Sequence, residues 1–195
     1  MKKISLFIIL AITFSSLFVS CYRTLDFDQA ELTAKPTIDT DLAHFTLQAN
    51  HLLDTTTGLE RTMISDTTRI EIFDNVDVQD QLIHVDFKFK LKNEFKRKFT
   101  ASVRFLDASY NPTYTVTMNI DSATTTLSGV LEPVNYVHTE QLILPTLVNN
   151  FKQTKFAVID IALLPDASGV NPITIGDTAT FSFQSAGTFY FDLGL

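Results

Sequence analysis

From Ile83 to Lys92 apolar and polar residues alternate without a break. Ile83, Val85, Phe87, Phe89 and Leu91 take one parity; His84, Asp86, Lys88, Lys90 and Lys92 take the other. Successive side chains of a strand point to opposite faces, so this alternation specifies a strand with one face in a core and one in water. The same period recurs at Phe45, Leu47 and Ala49, at Ile70 and Ile72, at Phe99, Ala101, Val103 and Phe105, and at Tyr114, Val116, Met118 and Ile120. Further strands are predicted over 127–131, 156–164, 178–183 and 188–193. Polar turns at 92–98 and 109–112 separate them, and Pro145 opens one short helix reaching Phe151.

Eight or nine short strands without βαβ alternation predict an all-β fold, a single antiparallel β-sandwich. The segment from Phe89 to Val116, with its Leu-Asp-Ala-Ser-Tyr-Asn turn, resembles the hairpins of immunoglobulin-like envelope modules, which implies an immunoglobulin-like sandwich. A membrane β-barrel is the rival, since it too alternates and commonly ends in an aromatic strand such as Phe189-Tyr190-Phe191. The Lys and Asp clustered on the polar parity favour the sandwich.

The first 21 residues have a different organisation. Lys2 and Lys3 precede an apolar run from Ile4 to Val19, broken by Ser5, Thr13, Ser15 and Ser16, and Ser20-Cys21 follows. A membrane-spanning helix needs about 20 apolar residues, so this run is better matched to a signal peptide. Leu17-Phe18-Val19-Ser20-Cys21 resembles the lipobox of bacterial lipoproteins, with Phe18 standing where an aliphatic residue is usual. The resemblance implies cleavage before Cys21, acylation of that cysteine, and anchoring to a membrane. Tyr22 stands where an Asp would retain a Gram-negative lipoprotein at the inner membrane, so the resemblance implies the outer membrane, its periplasmic or surface side left open. The expected organisation is a signal over 1–20, a lipidated Cys21 and acidic tether over 21–40, and the sandwich over 41–195.

Losing Lys2 and Lys3 leaves 13 of the 15 basic residues against 22 acidic ones, a net charge of −9. That balance argues against nucleic acid as a partner. Cys21 is the sole cysteine, so no internal disulfide can form and the domain depends on burying its apolar residues, among them 14 of the 17 phenylalanines.

Catalysis is not expected, and no catalytic residue is assigned. Nucleophile motifs are absent, and His44, His51, His84 and His138 lie far apart. No cofactor and no metal are expected: Asp74-Asn75-Val76-Asp77-Val78-Gln79-Asp80 lacks the alternate spacing and the glycine of a calcium loop, and turn chemistry accounts for it. Lys88, Lys90, Lys92 and Arg104 belong to a run of 7 basic residues within 17 positions, and are the candidate contacts for an envelope protein or an anionic polymer. The reading preferred to such a contact is that the lysines guard an edge strand against aggregation. Tyr110 is the candidate platform for a glycan in a chain without Trp. Thr55, Thr67, Ser122 and Thr178 each follow an Asp, in triplets that resemble the O-glycosylation sequon of one group of Gram-negative envelope systems. The functional expectation is a lipid-anchored, non-catalytic binding or assembly module; the alternative is a glycan- or ligand-binding surface lipoprotein.

In cells fed labelled palmitate, the wild type is expected to take up label and Cys21→Ser is not. Equal labelling of the two would remove the lipoprotein reading.

Overall fold

The computed structural model describes residues 35–165 and 171–193. Cys21, the signal and most of the tether lie outside the described residues. In chain order the elements are β1 (Thr37–Gln48), α1 (Ala49–Leu52), β2 (Met63–Arg69), a 3-10 turn (Glu71–Asp74), α2 (Val76–Gln81), β3 (Leu82–Asn93), β4 (Phe99–Leu106), β5 (Pro112–Ile120), β6 (Thr124–Thr125), β7 (Leu131–Glu132), β8 (Val134–Leu142), α3 (Pro145–Phe151), β9 (Phe156–Leu163) and β10 (Thr180–Phe191). None of the described helices is long and apolar enough to cross a membrane. β1 begins at Thr37, four residues before the expected start of the domain.

The pairing is nested. β4 and β5 form a hairpin, β3 pairs with β8, β2 with β9 and β1 with β10, all antiparallel. The chain is thus one long two-stranded ribbon folded at the β4–β5 turn. Rolling that ribbon brings β10 against β3 and β9 against β4. Two four-stranded sheets result, β1-β10-β3-β8 (sheet one) and β2-β9-β4-β5 (sheet two). The all-β antiparallel sandwich is therefore present, and its connectivity is that of a jelly roll, distinct from the immunoglobulin strand order.

Phenylalanine rings fill the space between the sheets. Phe87 of β3 stacks on Phe105 of β4 with centroids 4.9 Å apart, and Phe99 of β4 meets Phe181 of β10 at 4.7 Å. α3 closes one end by inserting Phe151 among Phe73, Phe87 and Phe105, at 5.4, 5.3 and 5.0 Å. Edge-to-face and offset contacts of this kind add to the area term.

Several elements depart from the sequence reading. The predicted strands at 178–183 and 188–193 are one continuous β10, held on both sides by β1 and β3 across Gln184–Gly187. Gly187 leaves room there for the Phe189 ring, which would lie 3.0 Å from a Cβ at this position. Ile70 and Ile72 do not form a strand: β2 ends at Arg69, and the 3-10 turn sends Phe73 into the core. The strand predicted over 127–131 is a tight turn between β6 and β7, with Leu127 fully exposed.

β8 was not predicted because its core-facing parity includes His138 and Glu140. Both lie near the open margin between edge strands β8 and β5. The Tyr114 hydroxyl of β5 donates to Glu140 Oε1 at 2.6 Å, and His138 Nε2 meets Glu140 Oε2 at 3.1 Å. Partial burial and then the hydrogen bond to this carboxylate push the Tyr114 phenol up to about 12. Its folded pKa thus exceeds its ordinary 10.0. The stabilisation it gives is complete below the lower value and is lost as pH rises through the upper one. The melting temperature of the wild type should exceed that of Tyr114→Phe at pH ~8, and the gap should close between pH ~10 and ~12. A gap that stays constant across that range would dismiss this linkage.

Candidate functional site

Lys88, Lys90 and Lys92 stand on the outer face of sheet one, since the opposite parity of β3 is buried. β3 is an interior strand, hydrogen-bonded to β10 on one side and β8 on the other. The edge-guarding explanation for these lysines therefore fails. Across the ladder Lys88 lies between Ala186 and Thr139, Lys90 between Gln184 and Val137, and Lys92 between Ser182 and Asn135.

The basic residues grouped by sequence do not stay together. Lys92 Nζ is held by Glu94 Oε1 at 2.7 Å; that ion pair, with a hydrogen bond from the Thr180 hydroxyl, holds the Glu94 carboxyl below its ordinary value. Arg104 projects from sheet two, on the far side of the sandwich. Its Nε donates to Asp160 Oδ2 at 2.7 Å, while the Ser65 hydroxyl donates to Asp160 Oδ1 at 2.6 Å. Arg97 is buried and pairs with Glu60 at 2.5 Å while donating to the Leu164 carbonyl. Arg69 and Lys155 share Asp74, and Lys98 pairs with Asp121. Lys88 and Lys90 have no ion pair or hydrogen bond with any described residue.

Those two free ammonium groups border a shallow depression of about 330 Å³. A bulge in β1 makes it: pairing with β10 passes from Asp41↔Ala186 to Ala43↔Ser185, so Leu42 is the extra residue. Leu42 packs inward over Gly187, and Asp41 and His44 come to the outer rim. Ala186 supplies a small side chain where the ladder dips, and Gln184 completes the rim; Ala43, paired with Ser185 of the buried parity, packs against the core with Leu42 and lines the depression beneath. The side chains of Asp41, His44 and Gln184 also lack a partner among the described residues. A second depression of about 350 Å³ adjoins it across Ala186 and Lys88, lined by Asp86, Thr139, Gln141 and Thr188. Asp86 is already engaged: Tyr190 donates to its Oδ2 at 3.0 Å, and His84 Nε2 lies 2.7 Å from Oδ1. The hydrogen bond to Asp86 raises the Tyr190 pKa. No motif marks Asp41, His44 or Gln184 in the sequence; the bulge shows there only as the adjacent apolar pair Leu42-Ala43 in an otherwise alternating stretch.

Tyr110 lies elsewhere. It occupies the β4–β5 turn with φ 63°, and its ring lies flat on Phe156 of β9 at 5.0 Å. One face of the ring is thereby covered, and the other is exposed. A larger cleft of about 560 Å³ opens at the other end of the sandwich, beside Arg97, Pro172 and Asp177. Its Arg97, Glu94 and Asp177 are engaged in holding loops together. Thr55 sits exposed in a turn whose Asp54 accepts the Thr56 and Thr57 amides, and those bonds depress the Asp54 carboxyl. Ser122 follows β5 and is half-buried, and Thr178 is exposed in the loop before β10. Thr67 is exposed within edge strand β2, away from any turn. Among the described residues no group of three or more His, Cys, Asp or Glu is arranged to hold a metal ion.

No protein-family model matches the chain, and no curated protein does. Solved structures with a similar strand arrangement include the infectious bursal disease virus Gx strain, at 9% identity and TM-score 0.42 over 83% of this chain and 33% of that one. The VP2 subviral particle of the same virus aligns at 16% identity and TM-score 0.40, over 82% of this chain and 33% of that one. The enzymatically active domain of bacteriophage CBA120 tailspike protein 4 aligns at 12% identity and TM-score 0.34, over 81% of this chain and 19% of that one. This chain spans a third or less of the length of each. At that overlap the likeness carries no functional inference.

Replacing Arg104 with Leu leaves the nearly buried Asp160 carboxylate without its cation and is expected to cost about 1–2 kcal/mol in urea unfolding. Lys88→Gln and Lys90→Gln break nothing in the fold and should stay within about 0.5 kcal/mol of wild type. A larger loss at Lys88 or Lys90 than at Arg104 would mean that the lysines serve stability.

Proposed function

We propose that this protein is a lipid-anchored component of the cell envelope, held at the outer membrane of a Gram-negative cell by acylated Cys21. There it acts as a non-catalytic binding or assembly module. One observation carries the binding half of this reading. On an acidic protein whose other clustered cations mostly face carboxylates, Lys88 and Lys90 stand on the outer face of sheet one without an ion-pair partner among the described residues. Unpaired ammonium groups on an interior strand neither guard an edge nor hold a loop, and they offer an anionic partner charge without prior disruption of an ion pair. The partner is an envelope protein or polymer.

The anchoring half rests on the lipobox-like Leu17–Cys21 and on the reach of the tether. Fifteen residues separate Cys21 from β1. Extended, they reach roughly 50 Å, enough to hold the sandwich clear of the headgroups. Acylation supplies about 0.8 kcal/mol for each buried CH₂, so several chains on one cysteine would make release negligible.

A photo-crosslinking residue placed at Val137, which opposes Lys90 on the same face, should capture an envelope component in intact cells. Capture should fall when Lys88 and Lys90 are changed to Gln, and a probe at Thr117 on sheet two should stay silent. Equal capture at Thr117, or capture at Val137 that ignores both lysines, would refute the assignment of this face.

A further inference from the structure

We propose that the outer face of sheet one binds an anionic saccharide, in the trough that runs from Asp41 and His44 over Ala186 to Lys88, Thr139 and Gln141. This rests on the reading of that face as the binding surface, and it names the ligand class. The two adjoining depressions together cross all four strands of the sheet, about 14 Å at the usual strand spacing. Lys88 belongs to both, and Lys90 stands two residues along the same face, about 7 Å away.

The chemistry of the rim narrows the occupant. Two ammonium groups call for negative charge. Asp41, as a carboxylate, accepts hydrogen bonds and donates none, so the ligand must also bring donors close to its anion. Gln184, Thr139 and Gln141 both donate and accept, which matches hydroxyl groups. A polyphosphate would meet repulsion at Asp41 and offer it no proton. A nucleic-acid strand would need several aromatic side chains for its successive bases, and among the described residues His44 alone brings a ring to the exposed rim from Asp41 to Thr139. An extended acidic peptide is recognised through its backbone at a sheet edge and through pockets for its side chains. Here β10 and β3, beneath the centre of the trough, already pair on both sides, and the floor at Ala186 has no such pockets. An anionic saccharide combines charge, dense hydroxyl groups and a flat ring face that fits over the Ala186 methyl.

The Ala186 methyl is the lever for testing shape apart from charge. Its side chain points outward, so Ala186→Leu fills the trough without touching the core. Isothermal titration of the full-length protein in detergent should show binding of hexagalacturonate. Maltohexaose and hexaglutamate should bind roughly tenfold or more weakly by comparison. Lys88→Gln with Lys90→Gln should weaken hexagalacturonate roughly tenfold or more, and so should Ala186→Leu, while Lys92→Gln leaves it unchanged. Circular dichroism of each variant should match the wild type. Three results would overturn the proposal: no binding of hexagalacturonate, equal binding of hexaglutamate, or indifference to Ala186→Leu. If crosslinking at Val137 still depends on the lysines in any of these cases, the binding face stands and the saccharide falls.

Discussion

Everything in this domain depends on driving a row of phenylalanines from β10 and β3 against those of β4 and α3. Without a second cysteine and without a described metal cluster, burial is what holds the sheets together. Each fully buried Phe contributes about 1.5–3 kcal/mol relative to exposure. Phe87, Phe89, Phe99, Phe105, Phe151, Phe181, Phe183 and Phe189 are all almost wholly buried. Their positions explain the roll. A flat ribbon of nested pairs would leave the inner face of β3 and β10 in water, and only by curling over does that face meet β4. The pairings β10·β3 and β9·β4 join strands that are not partners in the ribbon, and they close the structure around the rings.

What could be read from the sequence follows from how many sides of a strand are constrained. β3 and β4 lie between two neighbours and bury one face from Val85 to Leu91 and from Phe99 to Phe105, so their alternation is clean there; Ile83 breaks it, exposed where the β10 register shifts. β2 is an edge strand with only Ile64 half-buried, and nothing in Met63–Arg69 repeats. β8 places His138 and Glu140 on its inner parity, where an amphipathic pattern calls for apolar residues. β10 was split in two because Ala186 and Gly187 are poor strand formers, yet pairing on both sides outweighs local preference. The Pro145 helix was legible for the opposite reason, since proline at a first turn is a local signal.

The candidate site divides in the same way. That Lys88, Lys90 and Lys92 share a face follows from parity alone. That Lys92 is neutralised by a residue two positions away while its neighbours are not depends on side-chain placement at the end of β3. Arg104 has the outward parity of its own strand, but a sandwich has two outer faces and parity does not say which. Arg97 is further removed, since its partner Glu60 is 37 residues distant and meets it only through the fold. Asp41 and His44 reach the rim through a bulge, a device that redirects side chains beside binding sites more often than elsewhere.

The edge strands show why the lysines are left without a structural duty. A rolled ribbon has four free edges, and each has features that discourage a further strand. β1 is broken by its bulge, which twists and interrupts the ladder. β2 presents Asp66 and Arg69 among threonines and is short. β5 begins with Pro112, and β8 carries His138 and Glu140 on the parity that faces the core. Inward charge, proline, bulges and brevity all oppose edge-to-edge association. Lys88 and Lys90 stand between the edges, on a strand paired on both sides. They add mutual repulsion at neighbouring positions of one face; Asp41 and Asp86 line the same trough, but neither forms an ion pair with them. The fold draws no ion pair from them among the described residues, and this spare charge beside a shallow trough is what the proposed binding face would use.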